Sequence, residues 1–82
     1  MNESLEHLPS RCWQLVKFND VKYTRYWVDS EKQALYRLCY DGYYRRVKVN
    51  FDLRFCLIDD FDNVHTHNWK RFRALYFPED ID

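Results

Sequence analysis

At 82 residues the chain has room for one hydrophobic core and no second domain. Thirteen Lys and Arg balance thirteen Asp and Glu, and 46% of the residues are hydrophobic with one Gly and two Pro, which excludes a disordered or low-complexity chain. Seven Tyr, six Phe and three Trp are more rings than so small a core can enclose, so several are expected at the surface, where grouped apolar area marks contact with a partner.

Residues 1–10, "MNESLEHLPS", read as a flexible arm or a short helical turn around Leu5 and Leu8. They lack a basic segment followed by an apolar stretch, so no secretory signal is read here. The longest apolar stretches are of about four residues, far short of a membrane span. A soluble protein of the cytoplasm is expected. Residues 11–78 form the single domain and residues 79–82 an acidic tail.

"CWQLVKF" alternates as a strand with Cys12, Gln14, Val16 and Phe18 on one side, although Ser10 could equally cap a helical turn there. Asn19-Asp20 is a turn, "VKYTRYWV" a second strand of strong β formers, "DSEKQ" a break and "ALYRLCY" a third strand. Asp41-Gly42 between alternating segments indicates a two-residue type I′ hairpin. That turn would put Tyr40 against Tyr43, Leu38 against Arg45, Tyr36 against Val47 and Ala34 against Val49 on a core face. On the other face Cys39 would meet Tyr44, Leu35 would meet Lys48, and Arg37 would meet Arg46. Opposed like charges violate sheet design, as functional surfaces do.

The alternation runs on through Phe51, Leu53, Phe55 and Leu57, which requires one long bent strand or a second hairpin near residues 50–52. "DDFDN" is a turn rich in Asx residues. Asn68 can cap a helix over 68–77 with Trp69, Phe72, Leu75 and Tyr76 on one stripe, and Pro78 ends it. The expected fold class is therefore α+β: an antiparallel β-meander of about four or five strands with one C-terminal helix packed on the sheet.

Neutrality hides a segregation of charge. Residues 11–58 carry ten Lys and Arg against five acids, and residues 69–77 carry three cations and no acid. The surplus acids lie in the arm, in the turn at 59–63 and in the tail. Arg37, Arg46 and Lys48 with Tyr44 for stacking, and Lys70, Arg71 and Arg73 on the helix, are the candidate binding residues: guanidinium groups position a phosphate backbone and rings stack on bases.

Cys12, Cys39 and Cys56 are odd in number and lack C-x-x-C spacing, so neither a disulfide framework nor a zinc knuckle is read from them. His65 and His67 on a strand would point to one side about 7 Å apart, with Asp60 or Asp62 nearby. Residues 69–77 offer no further ligand, so the histidines are expected to pack at the strand end and to cap the helix, with no metal and no cofactor. No spacing ties a thiol to a base, no serine sits in a glycine-rich elbow, and one glycine cannot build a phosphate loop. The chain is not expected to be an enzyme or to have a small-molecule substrate.

The stretches "YWVDSEKQALYRL", "DGYYRRVKV" and "WKRFRALYFPED" resemble the small DNA-binding module that accompanies HNH homing endonucleases in phage genomes. Tyr26, Val28, Leu35, Tyr36, Gly42, Tyr43, Val47, Val49, Tyr76 and Pro78 occupy comparable places, over about residues 26–79. The family's glycine before its second strand is absent, Trp69-Lys70 replaces the His-Arg that opens its helix, and the nuclease motif is missing. The resemblance implies a phage-encoded protein that contacts DNA. Two functions follow. One is a non-enzymatic module that contacts nucleic acid through its basic, aromatic sheet face. The other is a small phage-type inhibitor that blocks a host enzyme or immune nuclease by protein contacts, placing its acidic turn and tail in a groove built for phosphate.

Overall fold

A computed structural model describes residues 4–77, so the tail at 79–82, the Pro78 stop and the first three residues of the arm lie outside the described residues. The chain is α+β. Seven strands run β1 (Ser4–Leu5), β2 (Trp13–Phe18), β3 (Val21–Asp29), β4 (Ala34–Leu38), β5 (Tyr44–Arg46), β6 (Arg54–Ile58) and β7 (Val64–Asn68), followed by the helix α1 (Trp69–Tyr76). The first five make an antiparallel sheet in the order β1-β5-β4-β3-β2, and β6 and β7 form a separate hairpin. The arm thus contributes an edge strand rather than a helical turn: Ser4 pairs with Arg45 and Leu5 with Tyr44.

Three corrections concern turns and register. The primed two-residue turn lies at Asn19-Asp20, where both φ are positive (56° and 66°) and Phe18 pairs with Val21. At the Asp-Gly pair only Gly42 is left-handed, at φ 87°. There the Gly42 N–H donates to the Cys39 carbonyl (3.0 Å) and the Cys39 N–H to the Tyr43 carbonyl (2.9 Å). This is a three-residue loop, Tyr40-Asp41-Gly42, built on a type I turn closed by a left-handed residue. The register accordingly slips by one: Leu38 pairs with Tyr44, Arg37 with Arg45 and Tyr36 with Arg46. Because paired residues share a face and neighbours alternate, Arg37 and Arg46 project from opposite faces of the sheet.

The third correction concerns β2. Its buried residues are Leu15 and Phe18, not an unbroken alternating row, because an irregularity between Leu15 and Lys17 shifts the register and leaves Val16 exposed. Neither of the two forms expected for residues 47–58 is realised: the chain turns over residues 50–54, but residues 47–50 form no strand and β6 pairs with β7, so that turn joins no hairpin.

The core lies where β2, β3 and β4 meet the hairpin and the helix: Leu15, Phe18, Tyr23, Tyr26, Val28, Leu35, Phe55, Leu57, Phe72 and Phe77 are buried together. Phe72 is its hub, with ring centroids 5.2 Å from Phe18, 5.4 Å from Phe55 and 4.6 Å from Tyr76, spacings at which aromatic pairs attract. The helix that carries Phe72 starts where the Asn68 side chain accepts from the Lys70 and Arg71 N–H groups. Trp69 and Tyr76 of the expected stripe pack against this core, but Leu75 is exposed. Ala34, Leu35 and Tyr36 are all buried, so β4 is covered on both faces, and the single core face expected for it does not exist.

Candidate interaction surface

Three turns share one hydrogen-bond plan. In Cys39–Tyr43, Asn50–Arg54 and Asp59–Asn63, the fourth residue donates to the first carbonyl at 3.0 Å and the first N–H donates to the fifth carbonyl at 2.9 to 3.0 Å. The fourth residue is left-handed each time: Gly42 at 87°, Leu53 at 60° and Asp62 at 69°. Side chains lock the geometry. The Asn50 Oδ1 accepts from the Asp52 and Arg54 N–H groups, and the Asp59 Oδ1 from those of Phe61 and Asn63, all within 3.1 Å. In the first turn Asp41 serves instead, accepting from Tyr43 N–H at 3.1 Å and gripping Arg45 at 3.1 and 2.7 Å. That grip holds the Asp41 carboxyl below its ordinary range.

Each turn displays a ring at its second or third position: Tyr40 is 89% exposed, Phe51 99% and Phe61 82%. Two of them stand at the same end of the molecule. Arg25 of β3 reaches both turns, its guanidinium carbon 5.9 Å from the Tyr40 ring centroid and its Nη2 3.6 Å from the Asp62 carboxylate, next to Phe61. Asp60 ties the second turn to β3, accepting from the Thr24 N–H (3.0 Å) and hydroxyl (2.9 Å), contacts that lower its pKa. Exposed Val64 extends the apolar area away from Phe61 along β7.

Beneath the Asp59 turn the two strand histidines are committed to polar partners rather than to the helix cap. His65 Nε2 lies 2.8 Å from the Asp59 carboxylate, which drives that acid down to about 2. His67 Nε2 lies 2.8 Å from the Tyr23 hydroxyl, and burial lowers the His67 pKa. No group of three or more His, Cys, Asp or Glu among the described residues is placed to hold a metal ion. The three thiols carry no disulfide, and burial pushes that of Cys12 up.

The residues singled out in the sequence do not form one face. Arg37 is half-buried at the corner between sheet and hairpin, opposite Arg45. Tyr44 packs edge-on against Trp27 (5.4 Å) on the other face of the sheet, which Arg46 shares by register. Lys48 is exposed beyond the end of β5, Lys70 and Arg71 are exposed on the helix, and Arg73 is half-buried there. The expected cluster of Arg37, Tyr44, Arg46 and Lys48 is thus divided by the register slip. Arg25 carried no sequence signal, since its role depends on two turns brought together by the fold. The turns at 50–54 and 59–63 did carry one: an Asx at the first position followed by a ring.

No family model matches this chain, and neither a curated protein nor a solved structure is similar to it.

Proposed function

We propose that this protein is a non-enzymatic binding module that engages another protein through the end bearing Tyr40, Arg25 and Phe61, in the manner of a small inhibitor. The observation that carries this reading is the display of Tyr40 and Phe61 at 89% and 82% exposure on two rigid turns joined by Arg25. Aromatic and Arg side chains are those over-represented at the energetic centres of protein interfaces. Each turn is closed by its own hydrogen bonds, so little ordering entropy remains to oppose association.

Charge favours a protein over nucleic acid at this end. The cations beside the rings already face carboxylates, Arg25 at Asp62 and Arg45 at Asp41, and Asp60 adds a further acid. A phosphate backbone would meet these carboxylates, whereas a partner groove with apolar and basic walls would be matched by rings and acids together. An enzyme groove built for phosphate has such walls.

The test is capture from nuclease-treated host lysate by the wild-type chain and by a Tyr40→Ala/Phe61→Ala double variant. Capture by wild type that survives nuclease and fails with the double variant supports the reading. Capture abolished by nuclease would transfer the function to nucleic acid, and capture indifferent to the double variant would move it to another surface.

A further inference from the structure

A cleft of about 330 Å³ opens in the corner where the β6–β7 hairpin meets the sheet, within the size range of small-ligand pockets. Tyr26, Val47, Ile58 and Val64 give it apolar walls, and Arg37 and Arg45 give it cations. Those two arginines are directly opposed across β4 and β5. Like charges so placed repel, and only one of the two has its charge matched. Asp41 holds Arg45 by two hydrogen bonds. Arg37 has no ion-pair partner among the described residues, and its Nε is buried without a hydrogen-bond acceptor. The Arg37 guanidinium therefore lines the cleft with its charge unmatched. A guanidinium takes a planar oxyanion by two parallel hydrogen bonds, and the walls facing it take hydrocarbon.

We propose that this cleft binds a carboxylate carried on a compact apolar group, with Arg37 as its anchor. The carboxylate matches the unpaired charge and relieves the opposition of Arg37 and Arg45. The apolar group lies against Tyr26, Val47, Ile58 and Val64. A free aromatic acid and the C-terminal carboxylate of a peptide ending in a large apolar residue present the same chemistry. The site does not depend on the protein-partner reading, which rests on Tyr40, Arg25 and Phe61, none of which lines the cleft.

The experiment is an amide-resonance titration of the full chain with four probes at millimolar concentration: 2-naphthoate, 2-naphthamide, a tripeptide ending in free Phe, and the same peptide amidated. The two acids are expected to shift the resonances of Cys39, Val47, Cys56 and Val64, and the two amides are not. Tighter binding of the peptide acid than of 2-naphthoate assigns the site to a chain terminus, and the reverse order assigns it to a free acid. Arg37→Met is expected to weaken acid binding at least tenfold, with Arg37→Lys in between. Should Arg37→Met disturb resonances throughout the chain, the contrast between acid and amide on the wild-type protein decides. Absence of shifts with both acids, equal shifts with acids and amides, or undiminished binding by a folded Arg37→Met variant would each overturn the proposal.

Discussion

Tyr23 and His67, 44 positions apart, share a 2.8 Å hydrogen bond that joins the sheet to the hairpin inside the aromatic core. Neither strand of the hairpin reaches the sheet by ladder hydrogen bonds, so side-chain contacts of this kind hold the two layers in place. The ring of Tyr23 also meets those of Tyr26 and His65 edge-on at 6.1 and 5.9 Å, and its burial pushes the phenol up to about 12. Tyr23→Phe keeps the ring and removes the oxygen, leaving the His67 nitrogen without its partner. The expected loss is about 1–2 kcal/mol in urea unfolding with an unchanged m-value. A loss below the error of the measurement would show that the bond contributes nothing net.

The pH dependence of stability should have two limbs. Burial lowers the His67 pKa, so the unfolded chain takes up a proton below about pH 6.5 that the folded chain refuses. That contribution is full above about pH 6.5 and is lost as the pH falls. Asp59, held to about 2 first by His65 and then by the Asn63 N–H, contributes stability that is full above about pH 4 and lost as the pH falls towards 2. Asp29, lowered by its hydrogen bonds to Arg11, acts in the same direction. Urea midpoints measured from pH 8 to pH 2 check this. His67→Gln should flatten the upper limb and leave the lower one, and a wild-type midpoint that stays level between pH 7 and pH 5 would contradict the first limb.

Asp29 closes the turn between β3 and β4. Its carboxylate accepts from Arg11 at 3.0 Å through both oxygens and from the Glu31 and Lys32 N–H groups at 3.1 and 3.2 Å, while none of it reaches solvent. Asp29→Ala leaves those donors unmatched and should destabilise by about 2–3 kcal/mol. Arg11→Ala should cost less, because the arginine is partly solvated and two backbone donors remain on the carboxylate. Chemical denaturation of both variants checks the order, which a purely ion-paired site would not give.

Phe72 meets Phe18, Phe55, Trp69, Tyr76 and Phe77 and is fully buried. Phe72→Ala should cost about 3–5 kcal/mol and undock the helix. Leu75→Ala, three residues on but exposed, should change stability by less than about 0.5 kcal/mol. Thermal unfolding monitored by circular dichroism distinguishes the two.

Left-handed positions give a pair of opposite expectations. Gly42 at φ 87° has open space where a Cβ would stand, so Gly42→Ala suffers only the backbone penalty, about 1 kcal/mol. Gln33 already bears that penalty at φ 52°, and Gln33→Gly should stabilise by about 0.5–1 kcal/mol. Denaturation midpoints moving in the same direction for both variants would refute this.

These turns also explain what could be read in advance. The helix over Trp69–Tyr76 was legible because Asn68 is a strong cap and Phe72 and Tyr76 repeat at helical spacing. The antiparallel strands were legible from their alternation. The register at Asp41-Gly42 was not, because a two-residue and a three-residue loop ask for the same residues. The choice falls to Asp41, whose carboxylate serves the Tyr43 N–H and Arg45 from a type I turn. One residue of slip then separates Arg37 from Arg46, and with them the expected basic face. Composition announced surplus rings at the surface, but Tyr40 and Phe61 become neighbours only through Arg25, a relation between three segments that no local pattern encodes.

In the three five-residue turns, the closing bonds fall on the first, fourth and fifth residues, and the rings at positions 40, 51 and 61 take no part in them. What the molecule shows to the outside and what keeps it folded are therefore written in separate letters. Those rings can thus be exchanged one at a time while the scaffold beneath stays as it was.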